Sequence, residues 1–93
     1  MEFIFIDPNW NTENGKYCSP RGAFYDTLER AKEQCIRDDT CVKVLDIMCD
    51  NSSPFYLCHD GSREVNDADG LYDGKPDCMY TKPGNKVTFY MTL

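Results

Sequence analysis

Ninety-three residues carrying a formal charge of −6, with lysines and arginines scattered singly along the chain, make one domain. They exclude nucleic acid, heparin and anionic membrane as partners, because each demands a clustered positive surface. Six cysteines in so short a chain read as a disulfide framework made in an oxidising compartment, so the protein is expected to be secreted; a zinc site would draw its sulfurs from closer pairs.

In chain order, Phe3-Ile4-Phe5-Ile6 is a short β-prone run stopped by Asp7-Pro8, and the polar stretch from Asn9 to Gly15 reads as a loop. The opening lacks the basic start and apolar length of a signal peptide. No later stretch approaches the ~20 apolar residues of a membrane span. Ser19-Pro20-Arg21-Gly22 has turn chemistry, and Ala23-Phe24-Tyr25 leads into the clearest helix. From Leu28 to about Arg37, the apolar residues Leu28, Ala31, Cys35 and Ile36 gather on one face, while Glu29, Arg30, Lys32, Glu33 and Arg37 point away. Asp26 or Thr27 caps this helix; with Asp26 as the cap, Glu29 stands where a capping box places its carboxylate. Asp38-Asp39-Thr40 ends it.

Val42 to Met48 is rich in β-branched and aliphatic residues, Asp50 to Pro54 is a turn cluster, and Phe55 to Cys58 is a second strand, so the two make a hairpin. Phe55 and Leu57 alternate with Tyr56, which leaves one side under the helix and the other available. His59 to Asp77 is acidic and glycine-bearing and reads as a surface excursion with little regular structure. Cys78 to Lys82 resumes as a strand. After the Pro83-Gly84-Asn85 turn, Val87 to Leu93 closes the chain on another β-prone run.

One amphipathic helix with a cysteine near its end (Thr27 to Cys35), a cysteine opening a strand (Asp39-Thr40-Cys41-Val42-Lys43-Val44), and cysteines in Phe55-Tyr56-Leu57-Cys58 and Cys78-Met79-Tyr80-Thr81-Lys82 form a constellation. It resembles the PAN/apple superfamily over roughly residues 18 to 82. The resemblance implies an α+β domain, a single helix packed on a twisted antiparallel sheet of about five strands. It also implies the pairings Cys35 to Cys58, Cys41 to Cys49 and Cys18 to Cys78. Where that family often has an aromatic soon after its third cysteine, this chain has Val44 and Leu45. A Cys18 to Cys78 bridge would bring the chain ends together, so residues 3 to 6 and 86 to 92 are expected to pair as strands and extend the sheet, or to pair between chains as a dimer.

Chemistry-bearing residues are sparse. His59 is the single histidine, and with every cysteine committed to a bridge no nucleophile and base are brought together, so the chain reads as no enzyme. Asp67, Asp69 and Asp73 flank Gly70 as calcium ligands would, but Val65 and Pro76 fill the first and last ligand positions of such a loop. The segment therefore reads as a solvated acidic loop, and no cofactor is expected. Trp10 and Tyr72 lie in predicted polar loops, where a large ring is a contact candidate; Tyr56, His59 and Arg21 join them. Asn51-Ser52-Ser53 is a glycosylation sequon on a turn. The expectation is an extracellular binding module for a protein or glycan. A sugar-binding lectin and a self-associating matrix protein are the alternatives.

Overall fold

A computed structural model of the chain describes residues 2–4, 10–66, 75–83 and 90–92. The helix forms where the apolar spacing places it: α1 spans Leu28–Arg37 and buries Ala31, Cys35 and Ile36. Thr27 is the N-cap, its Oγ1 accepting from the Arg30 N–H at 3.2 Å. Capping at Thr27 rather than Asp26 puts Arg30 at the capping-box position, so the reciprocal box with Glu29 is absent. At the other end the Asp38 N–H closes on the Gln34 and Cys35 carbonyls. Lys82 Nζ donates to the carbonyls of Cys35, Asp38 and Cys41 at 2.8, 3.3 and 3.4 Å, setting a cation at the negative end of the helix. Among the described residues no helix is long and apolar enough to cross a membrane.

The strands are β1 (Glu2–Ile4), β2 (Asn11–Asn14), β3 (Lys16–Ser19), β4 (Phe24–Tyr25), β5 (Cys41–Asp46), β6 (Phe55–His59), β7 (Arg63–Asn66), β8 (Cys78–Thr81) and β9 (Tyr90–Thr92). A 3-10 turn over Ile47–Cys49 follows β5. Five strands form an antiparallel sheet in the order β2-β8-β5-β6-β4, with β3–β7 and β1–β9 as separate two-stranded ribbons. The architecture is therefore α+β, and the expected β5–β6 hairpin is present, with a bulge between Cys41 and Lys43.

Strand alternation divides the core into two layers. Trp10, Val44, Phe55 and Leu57 pack with Ala31, Cys35, Ile36 and Cys41 on the helix side, and Leu45, Cys58, Met79 and Cys18 pack on the other. Val44 and Leu45, adjacent in β5, are both fully buried, so the sheet centre is covered on both faces. The β3–β7 ribbon contributes the second cover.

Two strands come from segments that read as unstructured, one in the five-stranded sheet and one in that ribbon. Asn11–Asn14 lies in the expected loop from Asn9 to Gly15, yet it pairs with β8 from Asn11 opposite Thr81 to Asn14 opposite Cys78. Arg63–Asn66 lies in the expected surface excursion, yet it pairs with β3 from Ser19 opposite Arg63 to Lys16 opposite Asn66. Both strands are polar, so their hydrogen-bond ladders carry what apolar alternation would otherwise signal.

The disulfides join Cys18 to Cys58, Cys35 to Cys41 and Cys49 to Cys78. None of the three pairings implied by the PAN/apple resemblance (Cys35 to Cys58, Cys41 to Cys49, Cys18 to Cys78) is present, and the reason is the side-chain period of two. Phe55 and Leu57 face the helix, so Cys58 faces the ribbon, where Cys18 stands and Cys35 does not. Cys41 and Cys49 are separated by β5, whose six residues extend about 20 Å. Cys49, just past the strand, is instead beside Cys78, the register partner of Asp46.

Of the segments 3 to 6 and 86 to 92, the described residues do pair, while residues 5, 6 and 86–89 lie outside the described residues. Glu2 lies opposite Thr92, Phe3 opposite Met91 and Ile4 opposite Tyr90, but as a ribbon of their own rather than an extension of the five-stranded sheet. β2 already occupies the outer edge of β8. The β2–β8 ladder, not a Cys18 to Cys78 bridge, brings the two ends of the chain to one place.

Candidate functional site

Cys18, bridged to Cys58 in β6, fixes the end of β3, and the next residues turn back toward the same strand. The Gly22 N–H donates to the Leu57 carbonyl at 2.8 Å and the Leu57 N–H to the Ala23 carbonyl at 2.9 Å. This stitch sets Phe24 opposite Tyr56 in the β4–β6 register, with ring centroids 5.9 Å apart. Arg21, one residue before the stitch, lays its guanidinium over the Tyr56 ring at 5.2 Å and the Tyr17 ring at 5.9 Å. The result is an arginine among three aromatic rings on the ribbon side of the sheet. Phe24 is 67% exposed and is the exposed large hydrophobic side chain among the described residues.

The two candidates Arg21 and Tyr56 are thus brought together. Tyr17 and Phe24 complete the cluster without having been singled out. Phe24 could have been found only by recognising β4, a strand of two residues, beside a better helix signal.

Trp10 is corrected: it is 8% exposed and belongs to the helix-side core. Lys32 covers its ring at 5.3 Å and the Tyr80 ring at 5.2 Å, and burial lowers the Lys32 pKa. A tryptophan in a polar segment here packs as the lid of the core. His59 stands against Gly22 and in no ring contact with the cluster among the described residues. Its Nδ1 is 3.0 Å from Thr40 Oγ1 and 3.5 Å from Asp38 Oδ2, so it ties β6 to the helix end rather than offering a free imidazole. Asn51 is exposed with φ 56°, and its N–H donates to the buried Asp46 Oδ2 at 3.0 Å. Tyr72 and the acidic-loop residues Asp67, Asp69 and Asp73, weighed as calcium ligands, lie outside the described residues.

A polar cluster joins the sheet to the other side of the β3–β7 ribbon. Lys43 Nζ bonds both Glu13 and Glu64, Thr81 Oγ1 donates to Glu13 at 2.8 Å, and Lys16 approaches both carboxylates at 3.5 and 3.7 Å. Lys43 also lines a pocket of about 290 Å³ with Cys18, Cys58, His59, Glu64 and Met79. The hydrogen bond from Lys43, then that from Thr81, holds Glu13 down at about 2. Burial alone would lower Lys43, yet its bonds to Glu13 and Glu64 carry it upward. Neither group changes charge near neutrality, where a general acid or base must. The network is an ionic clasp between sheet and ribbon.

Because Glu13 is depressed from 4.5 to about 2, the folded protein holds its proton less tightly than the unfolded chain. Its stabilisation is present above pH 4.5 and is lost as pH falls toward 2; solvent screening of a partly exposed carboxylate leaves this at about 1 kcal/mol. Urea unfolding at pH 7 and pH 2.5 should therefore show Glu13→Gln less stable than the parent by about 1 kcal/mol at pH 7, with the gap narrowing at pH 2.5. A gap independent of pH would deny the clasp.

Asp46 stands with Cys49 and Cys78 as three potential ligands within 4.8 Å. The two sulfurs are joined to each other, so no thiolate is left for a metal. Burial pushes the Asp46 carboxyl up. Its role is local: with Asp77 Oδ1, which accepts from the Met48 N–H at 2.7 Å, it holds a turn whose Met48, Cys49 and Asn51 are all left-handed.

No protein-family model, curated protein or solved structure matches the chain.

Proposed function

We propose that this chain is an extracellular, non-catalytic recognition module that binds a protein or glycan ligand through Tyr17, Arg21, Phe24 and Tyr56. The reading rests on the exposed ring cluster and not on the PAN/apple disulfide signature. The observation that carries it is Phe24, 67% exposed and held in place by strand pairing with Tyr56 rather than by a flexible loop. Rigid aromatic surface beside an arginine is what recognition surfaces concentrate, because it brings large area at little entropic cost. Three disulfides suit an oxidising, extracellular setting.

Arrays of purified ectodomains and of glycans, probed with the parent and with Phe24→Ser, test this. A specific ligand should lose at least about tenfold in affinity in the variant, as truncating an aromatic anchor does. A ligand held equally by both proteins would move recognition elsewhere on the chain.

A further inference from the structure

Building on that reading, we propose that Arg21 is a carboxylate receptor and that the ligand is an extended peptide segment presenting a Glu or Asp side chain two residues from an apolar one, on the same face. The guanidinium carbon lies 5.2 and 5.9 Å from the Tyr56 and Tyr17 ring centroids, and no hydrogen bond or ion pair among the described residues takes its N–H groups. They can meet a planar acceptor, which a carboxylate provides through two parallel hydrogen bonds.

Charge complementarity points the same way. In a chain of net charge −6, Lys16, Arg30, Arg37 and Lys43 all pair with carboxylates. Arg21 makes no ion pair among the described residues, nor does Arg63. Arg63 faces Ser19 in the ribbon register, and Tyr17, two residues from Ser19, shares that side of the ribbon. A second arginine without an ion pair among the described residues therefore shares the ribbon side of Tyr17, while a sulfated polysaccharide would call for a longer positive track.

A peptide is favoured over a glycan by the strand that carries Phe24. β4 ends the sheet order, so one rank of its backbone groups lies outside the ladder and can receive an added strand. A peptide docked there sets alternate side chains on the ribbon side of the sheet, one over the Phe24 ring and an acidic one two residues away toward Arg21.

The full chain, labelled with 15N, would be titrated with the capped peptide acetyl-Thr-Phe-Thr-Glu-Thr-amide, whose Phe and Glu share one face of an extended strand, and with its Gln counterpart. The Glu peptide should shift the Arg21 Nε–H and Phe24 amide resonances, and the Gln peptide should bind at least about tenfold more weakly. Arg21→Lys keeps the charge and removes the fork; it should weaken the Glu peptide by about tenfold and leave amide shifts of α1 and β5 unchanged. Equal binding of the two peptides, an indifferent Arg21→Lys variant, or no shift at about 10 mM peptide would each overturn the proposal. Shifts at Arg21 with sialyllactose but none with the peptide would overturn the peptide and keep the surface. A ligand that Phe24→Ser abolishes but Arg21→Lys does not would overturn this inference alone. One that Phe24→Ser leaves intact would overturn the recognition surface itself.

Discussion

Replacing Cys18 and Cys58 together by alanine is expected to lower stability by about 4 kcal/mol and to loosen the β3–β7 ribbon while α1 stays bridged to β5. The bridge closes a separation of 40 residues, and in the chain-entropy account such a loop is worth about 4 kcal/mol. The Cys35 to Cys41 bridge closes only 6 residues and is worth about 2 kcal/mol on the same account. Position reinforces the difference. Cys18 and Cys58 are buried in the layer with Leu45 and Met79, and the ribbon they anchor is the cover of that layer. Urea midpoints of the two double-alanine variants should fall in that order. Hydrogen exchange in the Cys18–Cys58 variant should accelerate first in Lys16–Ser19 and Arg63–Asn66. Because Tyr17 and Arg21 flank Cys18, the same variant should also lose the ring cluster. A Cys35–Cys41 variant that is the less stable of the two would mean that the helix anchor, not the ribbon, limits the fold.

The parts of this fold that were legible in the sequence are those where burial imposes a period. Ala31, Cys35 and Ile36 recur at helical spacing and are buried as read; Val44, Phe55 and Leu57 sit in strands recognisable by composition. The illegible parts are polar strands. Asn11–Asn14 contains no apolar residue and exists because β8 offers it a ladder, a reason that becomes visible only once β8 is placed. The disulfide pairing was hidden for a related cause: which face Cys58 points to depends on the parity of β6 relative to the helix, and no local spacing carries that information. In the candidate site, Arg21 and Tyr56 could be named because an arginine in a turn and a tyrosine on an alternating strand are visible singly. Their contact, and the addition of Tyr17 and Phe24, needed the β4–β6 register. Trp10 was misplaced because polar neighbours say where the backbone runs and not where an indole folds back.

Gly22→Ala is expected to damage both the fold and the recognition surface. A Cβ at this position would lie 2.5 Å from His59 Nε2, 2.6 Å from His59 Cδ2 and 2.9 Å from the Leu57 carbonyl oxygen. The requirement is for space. The Leu57 oxygen cannot withdraw without giving up the hydrogen bond it accepts from Gly22 itself at 2.8 Å. The imidazole cannot swing aside without leaving Thr40 Oγ1 and Asp38 Oδ2. Overpacking of this kind costs about 1 to 3 kcal/mol, and losing the backbone bond adds about 1 kcal/mol. Adding His59→Ala to Gly22→Ala removes two of the three close contacts, so the double variant should recover part of the loss. The coupling between the two sites should then be at least about 1 kcal/mol. The Leu57 contact remains, so recovery should be incomplete. Since Arg21 precedes Gly22 and Phe24 follows it by two residues, both single and double variants should shift the Arg21 Nε–H resonance, whereas His59→Ala alone should leave it in place. Additive losses in the two single variants would show that His59 does not pack against Gly22, and would remove the stitch at Leu57 as the device that positions Arg21.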